Sequence, residues 1–77
     1  MTSPLTALDT FIAVYETRQF VAAAAQLHVS QSTVSDRIAA LEKQVGHRLF
    51  ERMPRRDVVP TAAGERLYAS ARAMSAE

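Results

Sequence analysis

Residues 26–46 read QLHVSQSTVSDRIAALEKQVG, and this stretch decides the fold. It leaves one helical pattern, breaks at HVS and enters a second. Ser30 is a good N-cap for the second helix, because its hydroxyl can accept from a first-turn amide that has no partner within the helix. Val34, Ile38, Leu41 and Val45 follow at spacings of four, three and four, which is one apolar stripe on a helix. Gly46 then supplies a C-cap. His28 lies in the bend, where a residue with positive φ is often needed, and histidine is among the more tolerant types. It is read as a turn residue rather than a metal ligand or a catalytic base. His47 has no partner at ligand spacing.

Upstream, SPLTALDTFIAVYE reads as a helix start: Ser3 can cap, and Pro4 suits the first helical position. Leu5, Leu8, Phe11, Ile12 and Tyr15 fall on one face. TRQ interrupts the pattern, and FVAAAAQL forms a second, short helix whose alanines allow close helix approach. Downstream of Gly46 the period changes. RLFERM reads as a short strand, with Leu49, Glu51 and Met53 on the side opposite Phe50, PRRD as a turn and VVP as a return strand. Thr61 caps a last helix, AAGERLYASARAMSAE, in which Leu67, Ala71 and Met74 form a narrow apolar stripe. The expected fold is mainly α: three helices, a short β-hairpin wing and a C-terminal helix, the layout of a winged helix-turn-helix. Phe11, Tyr15, Phe20 and Phe50 are expected in the core.

Length and composition agree. The chain has 77 residues, room for one domain. It has no cysteine, which removes disulfides and thiolate metal sites, and no apolar run long enough to span a membrane. MTSPLTALDT lacks the basic-then-apolar order of a secretion signal. The net charge is +1, but residues 37–77 carry eight basic and five acidic side chains, whereas residues 1–36 carry one basic and three acidic. Lys43, Arg48, Arg52, Arg55 and Arg56 cluster against the single Glu51, as expected of a face that meets an anionic partner.

On a helical wheel Ser32, Asp36, Ala39 and Lys43 lie opposite the apolar stripe, with Ser35 beside them, and Gln31 and Ser32 occupy the first turn. Such a face is small and hydrogen-bonding. It can enter a major groove, with its N-terminal residues reaching base edges first.

Here the sequence becomes specific. AAAAQLHVSQ (22–31), VSDRIAALEKQVGHRLFER (34–52) and PTAAGERL (60–67) together resemble the N-terminal DNA-binding domain of the LysR-type transcriptional regulators. The resemblance runs from about Leu5 to Met74. It implies a winged helix-turn-helix over residues 1–60 and the start of a linker and dimerisation helix over 61–77. It further implies a cytoplasmic, nucleoid-associated bacterial regulator that binds promoter DNA as a homodimer. A small-molecule effector would bind only through a C-terminal domain absent here, and RNA polymerase would be a partner of the full-length protein. The chain departs from the family pattern in four places. Ser32 stands where the family usually has proline, and Asp36 where it often has a basic or amide residue. Gln19 and Val21 replace the usual Ser and Thr at the start of the second helix, which weakens that N-cap. The turn in MPRRDVVP is one residue longer than the commonest form.

Gln31, Ser32, Asp36 and Thr33 are therefore the candidates for base contact. A glutamine can pair with adenine N6 and N7, and a carboxylate can accept from cytosine N4. Ser30, Ser35, Arg37, Arg52, Arg55, Arg56 and Thr61 are candidates for phosphate or minor-groove contact, with a salt bridge as the alternative for Arg37 and Arg52 and helix capping as the first role of Thr61. Leu67, Ala71 and Met74 are candidates for a dimer interface. No cofactor, metal or membrane partner is expected. A protein-docking module without DNA affinity is the competing reading. An enzyme is a distant third, since no nucleophile–base pair, glycine-rich phosphate loop or metal spacing is present.

Overall fold

The computed structural model describes residues 4–75. Helix α1 (Pro4–Thr17) opens on its proline; the expected Ser3 cap and the side chain of Leu5 lie outside the described residues. Thr10, Phe11, Ala13 and Val14 are buried along it. The face read from the sequence is only one flank of that surface, with Leu8, Ile12 and Tyr15 half-buried. The difference arises because α1 packs against α2, α3 and α4 rather than lying on one partner. Thr10 is tolerated at full burial because its hydroxyl donates to the Thr6 carbonyl at 2.9 Å.

Arg18 ends α1 in left-handed backbone (φ 62°), with its amide on the Val14 carbonyl at 2.8 Å and its Nε on the Tyr15 carbonyl at 2.6 Å. Helix α2 (Phe20–Leu27) then starts with no side-chain cap, as the loss of serine at Gln19 implied. The Gln19 amide group instead donates to Asp57 Oδ1 at 2.9 Å. The bend after α2 is a Schellman motif: His28 N–H donates to Ala25 O (3.3 Å) and Val29 N–H to Ala24 O (3.1 Å), with His28 at φ 59°, ψ 42°. The left-handed residue is the one the sequence pointed to.

Helix α3 (Gln31–Val45) is capped at both ends as expected, by Ser30 Oγ accepting from Thr33 N–H at 3.1 Å and by Gly46 at φ 85°. Val34, Ile38 and Leu41 are buried, but Val45 is 40% exposed. The 15-residue α3 outruns the 8-residue α2 on which it packs, so its last turn has left the core.

Strands β1 (Phe50–Arg52) and β2 (Val58–Pro60) pair antiparallel, with Phe50 opposite Pro60, Glu51 opposite Val59 and Arg52 opposite Val58. β1 is shorter than the expected 48–53. The Leu49 amide is taken by Glu42 Oε2 at 2.8 Å, and beyond Met53, whose amide meets the Asp57 carbonyl at 2.8 Å, Pro54–Arg56 form one 3-10 turn. Leu49 and Phe50 are both buried and Glu51, Arg52 and Met53 are all exposed, so the expected alternation does not form: the strand leaves the core after Phe50. β2 is tied to the α1–α2 link by Val58 N–H on the Arg18 carbonyl (2.9 Å) and by a bridge between Gln19 and Asp57.

Helix α4 (Ala62–Ser75) follows its Thr61 cap, where Oγ1 accepts from Gly64 N–H at 3.1 Å. Leu67 and Tyr68 pack partly on the core. Tyr15 and Tyr68 stack face to face with centroids 3.7 Å apart. Tyr15 donates to Glu65 (2.6 Å) and Tyr68 to Glu16 (2.9 Å). These contacts fasten α4 to α1. The core centre is Phe11, Val14, Ala23, Val34, Leu49 and Val58, where three helices meet the hairpin. Phe20 and Phe50 join it, while Tyr15 stays half-buried. The architecture is a winged helix-turn-helix. Among the described residues no helix is long and apolar enough to cross a membrane.

Candidate nucleic-acid interface

The apolar stripe fixes how α3 is rolled. With Val34, Ile38 and Leu41 inward, Gln31, Ser32, Asp36 and Lys43 are exposed, and Thr33 and Ser35 are half-buried at the margins. The hydroxyls of the first turn engage one another: Ser30 Oγ lies 3.2 Å from Ser32 Oγ and 2.8 Å from Thr33 Oγ1, besides capping the helix. Gln31 and Asp36 are in a different state. Among the described residues neither side chain has a hydrogen bond or ion pair. They are polar groups presented outward with their bonding capacity unused.

The hairpin presents the cations. Arg55 and Arg56 occupy the tip, both exposed and both in left-handed backbone (φ 66°). Two consecutive non-glycine residues there cost about 1–2 kcal/mol each. The three-residue loop forces this conformation, because it must close onto the Met53–Asp57 bond. Arg52, one strand position before Met53, lays its guanidinium over the Phe20 ring at 5.1 Å from the centroid. The alternative of a structural ion pair for Arg52 is not what forms among the described residues.

These two sources meet. Phe20, Gln31, Ser32, Ser35, Asp36 and Arg52 line one groove. A second groove shares Gln31 and Arg52 and continues past Gln19 and Val21 to Arg55 and Arg56. The N-terminus of α3 and the wing arginines therefore border one continuous surface. Ser35 also faces a smaller cleft towards Arg48, at the seam between α3 and the hairpin. The sequence reading missed Gln19, Phe20 and Val21 as part of this surface. Only the hairpin's return across the α1–α2 link brings them there, over a separation of 38 residues in the case of Gln19 and Asp57.

Three expected site residues are placed differently. Thr61 has no donor left for a phosphate: its amide is on the Leu49 carbonyl (3.0 Å) and its hydroxyl on the Arg48 carbonyl (2.6 Å), so it is a cap and a brace. Arg37 leans towards α1, with Nη1 3.4 Å from Thr10 Oγ1, and does not line the grooves shared with the wing. Ala71 is 2% exposed in the single chain, so it has no surface to bury against a partner, whereas Met74 is 59% exposed and Leu67 half-buried.

Comparisons with known proteins place this geometry. Residues 5–65 match the model of the family described as bacterial regulatory helix-turn-helix protein, lysR family. An uncharacterized HTH-type transcriptional regulator of Azotobacter vinelandii, from the ibpB-leuC intergenic region, is 51% identical over 63 residues, which is 82% of this chain and 43% of that protein. The HTH-type transcriptional regulator HdfR of Escherichia coli O139:H28 is 50% identical over 60 residues, 78% of this chain and 21% of that protein. The chain thus spans less than half the length of these relatives. Among solved structures, the DNA-binding domain of CbnR in complex with DNA superposes with a TM-score of 0.87 at 39% identity, covering 94% of this chain and 82% of that one. The DNA-binding domain of BenM on benA site 1 DNA gives 0.87 at 34% identity, covering 96% and 82%. The chain belongs to the lysR family of bacterial regulatory helix-turn-helix proteins.

Proposed function

We propose that this chain is the sequence-reading domain of a bacterial transcriptional regulator and binds double-stranded DNA without enzymatic activity. The observation that carries the reading is the continuous groove in which the unengaged polar side chains of Gln31 and Asp36 adjoin Arg52, Arg55 and Arg56. A helix whose outer face is small and hydrogen-bonding fits a major groove, and its first turn reaches base edges. Gln31, Ser32, Thr33 and Asp36 make the base contacts. Ser30, Ser35 and Arg52 hold phosphates, and Arg55 and Arg56 engage the backbone or the minor groove. The CbnR and BenM domains, captured on DNA with the same fold, support this use of the surface.

The domain divides at residue 60, and the segment from residue 61, the Thr61 cap and α4, starts a linker through which two copies meet. Leu67 and Met74 supply apolar surface for that contact, and the dimer reads a dyad-symmetric site with half-sites about one helical turn (~34 Å) apart. In the longer protein, a C-terminal domain binds the effector and RNA polymerase is the downstream partner, in the bacterial cytoplasm. Selection of random-sequence duplexes on the purified chain at low salt, with sequencing of the bound pool, tests the reading. An enriched motif with two-fold symmetry is the expected result. Recovery of no duplex would overturn it in favour of a protein-docking surface.

A further inference from the structure

Asp36 poses a physical problem that Gln31 does not. It is exposed on the outward face of α3, one turn in from the N-terminus, and a carboxylate in that position is repelled by the phosphates on either side of a groove. No cation of the described chain neutralises it by a direct ion pair. Arg52 lines the same groove, yet its guanidinium is held over the Phe20 ring at 5.1 Å and does not close onto the carboxylate. Acceptor and cation line one groove without pairing, each open to a third party.

From this we infer that Asp36 is a specificity residue that selects cytosine, accepting a hydrogen bond from its N4 amino group, while Arg52 supplies the adjacent positive charge that lets the carboxylate approach DNA. The inference rests on the DNA-reading function proposed above. The chemistry leaves few options. An ionised carboxylate has acceptors only. Guanine offers N7 and O6, and thymine O4, all acceptors, so both bases are repelled at this position. Adenine offers one amino donor beside the N7 acceptor. Cytosine offers its amino donor without that adjacent acceptor, and is the edge an acidic side chain pairs with. The phosphate repulsion applies whatever the base, so it penalises binding everywhere and leaves the amino contact to decide between sequences. Arg52 offsets that penalty at short range, where screening by salt is weakest.

The test compares selections from random duplexes on the intact 77-residue chain and on Asp36→Asn and Asp36→Ala. The position is exposed and Asn is nearly isosteric, so folding is not at stake; helical circular dichroism checks it. The wild-type motif is expected to hold a cytosine that is favoured roughly 5- to 150-fold over other bases. In Asp36→Asn the preference at that same position should move to adenine, whose N6 and N7 an amide pairs bidentately. In Asp36→Ala it should vanish while the rest of the motif stands. A wild-type motif that neither variant changes would overturn the assignment of Asp36 and leave the DNA-reading function intact. A wild-type chain that recovers no duplex would overturn both.

Discussion

At Gly64 a single added carbon would overlap the Leu49 carbonyl oxygen and stand 3.2 Å from Pro60 Cβ. The first of these is backbone, fixed by its bond from Thr61 N–H, so it cannot yield as a flexible side chain would. Gly46 is the opposite case: nothing lies near its missing Cβ, but its φ is 85°. Gly64→Ala should therefore cost about 2–3 kcal/mol by overpacking, and Gly46→Ala only about 1 kcal/mol by backbone strain. Each kcal/mol moves Tm by about 4–8 °C in a chain this small, so thermal melts resolve the order. A larger loss at Gly46 than at Gly64 would refute the packing argument. Gly46 was legible in the sequence because a helix end demands its conformation locally. Gly64 was not, because its constraint comes from a carbonyl 15 positions away, in the link that leads into β1.

The elements show the same division. The bounds of α2 and α3, the left-handed bend at His28 and the hairpin's place were readable, since caps, turns and apolar periods are short-range signals. Where two elements touch, the sequence was silent. It did not show Glu42 holding the Leu49 amide at 2.8 Å, which anchors the start of the hairpin to α3. That bond has a charged acceptor and a half-buried site, so Glu42→Ala should cost about 1.5–3 kcal/mol in urea unfolding, and Glu42→Gln less. Nor did it show the Tyr15–Tyr68 stack. There the hydrogen bonds to Glu65 and Glu16 raise both phenol pKa values above their ordinary value. A raised folded-state pKa means the folded chain holds these protons more tightly than the unfolded one. The stabilisation is complete below the unfolded value of about 10 and is lost as pH rises through the folded values. Wild type should therefore lose stability above about pH 10 more steeply than the double variant Tyr15→Phe, Tyr68→Phe, and parallel alkaline limbs would rule out the linkage.

For the whole molecule, the question is how a chain of net charge +1 holds a polyanion. The answer lies in placement: α4 is tied to α1, β2 to the α1–α2 link and β1 to α3, so the exposed arginines at 52, 55 and 56 are held on one side, next to the first turn of α3. Affinity and selectivity should then separate. If each of the three arginines neutralises one phosphate, together they contribute about −2.7 per copy to the slope of log affinity against log salt. Arg55→Ala should flatten that slope by about 0.9 per copy and weaken all duplexes alike. Gln31→Ala should leave the slope unchanged and relax preference at one base pair, by about 1–3 kcal/mol. Fluorescence anisotropy on the selected duplex and on a scrambled one, across a salt series, reads both quantities at once. A slope unmoved by Arg55→Ala would remove the wing tip from the contact surface. A Gln31→Ala loss equal on both duplexes would make Gln31 a positioning residue, and base reading would then rest on the rest of the α3 face.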